Sequence, residues 1–252
     1  MKFQVYFYLL TITLFLSCSK GVPLIFTSES FTENSLELCK NIGCPDITIN
    51  YVKVNGNSEA SEKINSEIST AIISALHIED ESEPRAKTIP EAAERFIKSY
   101  RMDSADFPDM SAEYFAEINA TETYNSKKLV SIQLQLYLYT GGAHGYGNTT
   151  FLNFDPQTGA KIALEDLFEN LEDFTLIVEE KFRDANNIPK GESINDTGFW
   201  FENEVFYLPE TIGFTKTDLI LLYNQYEIAS YADGPITLKI PIQEVTKYLP
   251  NK

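Results

Sequence analysis

The chain changes hydrophobic period near residue 114, and that change limits the folds open to it. Before it, Ala60, Ile64, Ile68, Ile72 and Leu76 recur every fourth residue, and Ala92, Phe96, Ile97 and Tyr100 form a second helical stripe. Stripes of this kind describe amphipathic helices that bury one face. After it, residues 114–124 and 129–139 alternate, with Val130, Ile132, Leu134, Leu136 and Leu138 on one face. The break Asn125-Ser126-Lys127-Lys128 joins these two runs as a hairpin.

The remaining elements follow from the same two periods. Residues 46–54 read as a first strand, stopped by Asn55-Gly56-Asn57, and the first helix carries Glu59 and Glu62 in its opening turn, where the helix dipole favours acids. A charged linker over 79–87 leads to Thr88-Ile89-Pro90-Glu91, the spacing of a capping box with proline in the first turn. Residues 149–154 are a further strand, and Asp155-Pro156-Gln157-Thr158-Gly159 is a turn. Residues 164–168 and 171–186 read helical; 206–208, 214, 219–223 and 236–240 return to strand; 243–249 closes as a short helix. Runs of strands beside runs of helices give an α+β fold with antiparallel sheets, packed helices and two closely associated lobes.

Residues 1–20 join one early lysine to an apolar run from Phe3 to Leu16, with small Ser17 before Cys18. The run is shorter than the roughly 20 residues of a spanning helix and has the form of a secretion signal. A cysteine in this place resembles a bacterial lipobox, so residues 1–17 are expected to be removed and Cys18 lipidated, with ordinary secretion as the alternative. Residues 18–45 then serve as lipidated N-terminus and tether. Cys39 and Cys44 remain as an even pair, expected to bridge in an oxidising compartment, with two free thiols as the alternative. Two cysteines and two distant histidines do not make a zinc spacing, so no metal site is expected.

The chain carries 20 basic against 37 acidic side chains, a net charge of −17. Residues 1–17 hold one lysine and no acid, so a chain cut there stands at −18. That field excludes nucleic acid and anionic lipid surfaces as partners and favours a basic protein, although a merely soluble acidic surface gives the same composition.

One loop concentrates unusual residues. Tyr139-Thr140-Gly141-Gly142-Ala143-His144-Gly145-Tyr146-Gly147 follows directly on the second hairpin strand and holds four glycines and one of the two histidines. Further on come Asn153-Phe154-Asp155-Pro156-Gln157-Thr158-Gly159, Leu164-Glu165-Asp166-Leu167-Phe168, and Tyr226-Glu227-Ile228-Ala229-Ser230-Tyr231-Ala232-Asp233-Gly234. In that order and spacing, residues 116–252 resemble the DUF3298 domain of bacterial envelope proteins, and residues 46–115 resemble the DUF4163 region that commonly precedes it. Proteins with this pair of regions include anti-sigma factors that sense lysozyme and deacetylases of cell-wall glycan. Together with the lipobox, the resemblance implies a lipid-anchored protein facing the periplasm or exterior, which binds or senses an envelope partner. A basic lysozyme-like protein is the leading partner, a peptidoglycan or glycan fragment the second, and an autonomous wall-glycan hydrolase or deacetylase the rival from another class.

His144 is the natural general base, but no Gly-x-Ser-x-Gly elbow supplies a nucleophile, and a histidine that orients its loop explains the same position. Glu165-Asp166 and Glu179-Glu180 are neighbours on helices and do not face one another across a sugar. The glycine loop lacks the Gly-Lys-Ser/Thr ending of a phosphate cradle. No catalytic residue and no cofactor are expected, and the partner-binding residues are expected to be Tyr139, Gly141, Gly142, His144, Gly145, Tyr226 and Tyr231. Tyr137, Tyr146 and Tyr223 border the same motifs and supply contact area with a polar tip.

Overall fold

The computed structural model describes residues 23–78, 84–108 and 112–250. The expected signal segment 1–17 and the lipidated Cys18 lie outside the described residues. A five-stranded sheet runs in the order β1-β2-β3-β4-β5, built from β1 (Phe26–Thr32), β2 (Asp46–Val54), β3 (Phe115–Asn125), β4 (Val130–Tyr139) and β5 (Tyr146–Phe154). Helices α1 (Glu59–Ala75) and α2 (Ile89–Asp106) cover one face. Ile64, Ile68, Ile72, Phe96 and Ile97 enter a common core with Ile47, Ile49, Ile118 and Ile132.

Both helix starts are fixed by the side chains the sequence offers. The Ser58 hydroxyl accepts from Ser61 N (3.1 Å), and the Thr88 hydroxyl from Glu91 N (3.2 Å). Each cap is worth about 1 kcal/mol. The reciprocal bond of the second box goes one residue further out: the Glu91 carboxylate accepts from Lys87 N (2.8 Å).

The antiparallel expectation holds for every pairing but one. Strands β2 and β3 are parallel. A parallel neighbour needs a long crossover, and the segment holding α1 and α2 is that crossover. Two further departures concern boundaries. The tether expected over 18–45 contains β1, an edge strand whose polar sequence FTSESFT hides it, because an edge strand needs only one hydrogen-bonded partner. The division expected at 115/116 falls at the head of β3, inside the five-stranded sheet.

The second lobe contains α3 (Leu164–Leu167), α4 (Leu171–Ala185), a three-stranded antiparallel sheet of β6 (Thr211–Phe214), β7 (Asp218–Tyr223) and β8 (Ile236–Pro241), and α5 (Ile242–Val245). Phe174, Val178 and Phe182 of α4 are buried against Phe201, Phe206, Phe214 and Tyr223. The strand expected at 206–208 is extended chain outside either ladder, with Phe206 taken into this core. Tyr223 is likewise a core residue rather than a surface one: it is 1% exposed, and its hydroxyl donates to Tyr207 O (2.5 Å). Cys39 and Cys44 form a disulfide with Cα atoms 5.6 Å apart.

The second sheet packs across the outer face of β4 and β5, opposite α1 and α2. Phe151 meets Ile220 and Leu222 there. Ser131 Oγ accepts from Phe214 N (3.1 Å), and Asn153 Nδ2 donates to Ile212 O (2.7 Å). Gly213 permits the contact, since a Cβ on it would lie 1.9 Å from the Phe151 ring.

Candidate functional site

The second sheet covers only part of that outer face. Register places Ser30, Asn50, Asn119, Gln135 and Thr149 side by side across all five strands, and Thr32, Thr48, Glu117, Tyr137 and Gly147 in the next row. Residues directly opposite one another share a face, so two rows of hydroxyl, amide, carboxylate and phenol stand together on the open part. Asn50 Nδ2 donates to Asn119 Oδ1 (3.1 Å), and Asn119 Nδ2 donates to Glu117 Oε1 (2.9 Å). This chain of bonds orients the amides and ends on an acceptor that is always available. Phe115 braces the Tyr137 ring edge-on at 6.0 Å, and Tyr137 is 46% exposed.

The loop after β7 forms one wall of a groove over this surface. Asn224 docks it: Thr149 N donates to its Oδ1 (2.9 Å) and its Nδ2 donates to Thr149 O (3.0 Å), so the side chain continues the ladder of β5. The resulting groove, of about 380 Å³, lies between Asn119, Gln135 and Tyr137 on the sheet and Asn224, Gln225 and Pro235 on the loop. Glu227, half-buried, accepts from Asn224 N (2.8 Å). Burial raises its carboxyl above the ordinary carboxylate value, partly opposed by that N–H, and the Glu210 charge adds to the rise.

The seven residues expected to bind a partner lie beside the groove rather than in its lining, where the His144 loop meets the segment holding Tyr226 and Tyr231. His144 stacks on Tyr231 with centroids 4.0 Å apart, and Tyr231 lies 5.6 Å from Tyr226. His144 Nδ1 and Tyr231 Oη both donate to Gly145 O, at 3.0 and 3.3 Å. Tyr139 Oη closes the loop onto Gly142 O (3.1 Å). Gly141 and Gly142 have φ of 95° and 89°, the left-handed region that glycine enters freely. Gly145 has a different reason: a Cβ there would lie 2.4 Å from the Tyr137 hydroxyl and 2.9 Å from Leu138 O. The loop and the groove are therefore in direct contact through Gly145 and Tyr137.

Tyr226 is held at φ 69° and is 56% exposed. A bulky residue in this conformation costs on the order of 1–3 kcal/mol, a strain that concentrates at functional surfaces. Among the described residues His144 has no hydrogen-bond partner but Gly145 O, so neither a carboxylate nor a nucleophile addresses its ring. Among the described residues, no group of three or more His, Cys, Asp or Glu is placed to hold a metal ion, and no helix is long and apolar enough to cross a membrane.

Sequence reading missed the polar floor of the groove. Outward alternation along β4 marks Gln135, but only the three-dimensional register sets Asn50, Asn119 and Thr149 beside it, and nothing local places Asn224 against Thr149.

Residues 164–243 match the family model described as "Protein of unknown function (DUF3298)", and residues 39–147 match that described as "Deacetylase PdaC". The region that matches the deacetylase model supplies β2, β3 and β4, and the region that matches the DUF3298 model supplies the docked loop. Crystal structures of two DUF3298 family proteins have the same fold. The one from Bacteroides fragilis is 24% identical with a TM-score of 0.69, covering 92% of this chain and 95% of that chain. The one from Pseudomonas aeruginosa is 19% identical with a TM-score of 0.63, covering 92% and 96%. No curated protein matches the chain.

Proposed function

We propose that the chain is a non-catalytic binding module of the cell envelope whose groove takes a strand of wall glycan. The observation that carries this reading is the pair of registered rows on the open sheet face, amides and hydroxyls interleaved with Tyr137 and bounded by the His144-Tyr231-Tyr226 stack. Sugar rings present hydroxyls that both donate and accept, which Asn and Gln match. Their C–H faces pack on tyrosine rings, whose phenol tips stay wet. Support also comes from the name of the model matched by the sheet-forming region, a deacetylase, and from the resemblance of the chain to proteins that work on or near wall glycan.

The charge favours a second reading, a basic lysozyme-like protein docked on the same tyrosines, because a chain at −17 attracts a cation-rich partner and tyrosine is a common anchor at protein interfaces. Calorimetry of the full chain with soluble N-acetylglucosamine oligomers, with muropeptides and with lysozyme separates the two. Saturable binding of the oligomers, weakened by Tyr137→Ala, supports the glycan reading; binding of lysozyme alone, abolished by moderate salt, replaces it with the second. Turnover of purified peptidoglycan by the wild type that disappears in His144→Ala would show an enzyme.

A further inference from the structure

A second cavity, at the opposite end of the same strands, has a different chemistry. It occupies about 520 Å³ between the β3–β4 turn and the segment that leads from β5 into α3, within the range of about 300–1,000 Å³ typical of small-ligand sites. Strand β4 separates it from the His144 loop by ten residues, roughly 33 Å at the ordinary strand rise. Its floor is apolar: Leu129, Leu167 and Phe214 are buried members of the second core, and Tyr124 lies 6.0 Å from the Phe214 ring.

Its rim is basic. Lys127, Lys128 and Lys161 all line the cavity and are exposed. Three lysines converge here although the whole chain holds 20 basic side chains against 37 acidic ones. Among the described residues none of the three ammonium groups makes an ion pair or a hydrogen bond, while other lysines of the chain, such as Lys63 with Glu59 and Lys181 with Glu244, are paired.

The fold does not need these charges. The turn is held by Ser126, whose Oγ accepts from Lys128 N (3.2 Å) and Leu129 N (3.0 Å) and whose N–H donates to Leu129 O (2.9 Å). Lys161 takes part through its backbone, in a bridge to Phe154. Two carboxylates also line the cavity, Asp155 and Asp166. Asp155 Oδ1 is engaged by Gln157 N (2.7 Å) and Thr158 N (3.1 Å), which closes its own turn.

We propose that this cavity binds a single-chain amphiphilic carboxylate, its alkyl tail on Leu129, Leu167 and Phe214 and its head among Lys127, Lys128 and Lys161. Tyr124, Ile162 and Leu249 leave partly exposed apolar surface over that buried floor, and a tail laid on it removes both surfaces from water. A lysine ammonium is a point charge on a flexible stem and follows an anionic head without demanding a fixed geometry. This cavity shares no lining residue with the groove on the open sheet face, so the two sites stand or fall separately.

The test is calorimetry of the full chain with dodecanoate below its critical micelle concentration, with decanoate, dodecyl phosphate and dodecyltrimethylammonium alongside. Saturable one-to-one binding is expected, tightening about fourfold for each methylene added to the tail. Replacing the three lysines together (Lys127→Gln, Lys128→Gln, Lys161→Gln) should weaken dodecanoate at least tenfold with an unchanged melting temperature. A second variant, Gln157→Glu, places a repelling charge at the exposed rim and should weaken it in the same direction. Amide shifts on titration should centre on residues 124–129 and 155–167. Equal binding of dodecyltrimethylammonium, unaltered affinity in the triple variant, or shifts centred on 135–149 would each overturn the assignment, and preference for dodecyl phosphate over dodecanoate would overturn the choice of carboxylate.

Discussion

Apart from Phe151, which packs on the second sheet, the outward side chains of β4 and β5 are mostly polar, yet the two halves of that face serve different ends. On the covered half, Ser131 and Asn153 are buried at 0% and 4% exposure, and each is bonded to the backbone of β6. On the open half, Gln135 is exposed and makes no hydrogen bond to another described residue, and Tyr137 reaches into the groove. Chemically similar residues thus register one sheet on another in one place and face solvent a few residues further on. The boundary is set by where β6 ends and by Asn224, which docks at Thr149. What remains uncovered is an organised polar surface, and organisation without an internal partner is what a binding face requires.

If this division is right, substitutions on the covered half act on stability and those on the open half act on binding. The largest effect is expected at Gly213, where a methyl group would sit inside the Phe151 ring. Gly213→Ala should cost about 3 kcal/mol, at the upper end for overpacking. Urea unfolding measures it, and a loss below about 1 kcal/mol would mean that the sheets are not seated on one another as described. Ser131→Ala should follow at about 2 kcal/mol, because it leaves the Phe214 N–H buried without an acceptor. A neutral result there would dissolve the contrast between the two halves.

The same contrast explains what could be read in the sequence. Period alone located α1, α2 and the β3–β4 hairpin, since Ile64, Ile68 and Ile72, or Val130, Ile132 and Leu134, bury one face of one element. The local sequence also marked the His144 loop by its glycines, and Gly141 and Gly142 do take positive φ there. It failed where the cause is not local. β1 buries too little for its pattern to show, and the parallel pairing of β2 with β3 depends on the path of two intervening helices. Tyr223 looks like its exposed neighbour Tyr226, and only the second core decides that one is buried and the other is not.

On the open half, Tyr137→Ala should leave unfolding within about 0.5 kcal/mol of wild type and weaken glycan binding about tenfold, equivalent to roughly 1.4 kcal/mol. Gln135→Ala is the companion, with the same signature and a smaller loss. Affinity measured beside denaturation on one preparation separates the two effects. A stability loss matching that of Ser131→Ala would show that this half, too, is structural.

The smallest expected effect lies on the boundary itself. Burial raises the Glu227 carboxyl above its reference value of 4.5, so the folded protein holds this proton more tightly than the unfolded chain does. As pH rises past the unfolded value, the unfolded chain loses its proton first, and stability falls until the folded group has also ionised. The contribution is present in full below the reference value and lost above the folded one. Glu227→Gln keeps an oxygen to accept from Asn224 N, next to the Asn224 amide that holds the loop against Thr149, and removes the charge that burial disfavours. The variant should therefore melt slightly higher than wild type at pH 7, and its stability should be flat through the window where the wild type declines. A variant that instead melts lower at pH 7, with weaker glycan binding, would mean that the ionised carboxylate is what holds the Asn224 loop, and the edge of the groove would then be set by charge rather than by the Asn224 amide.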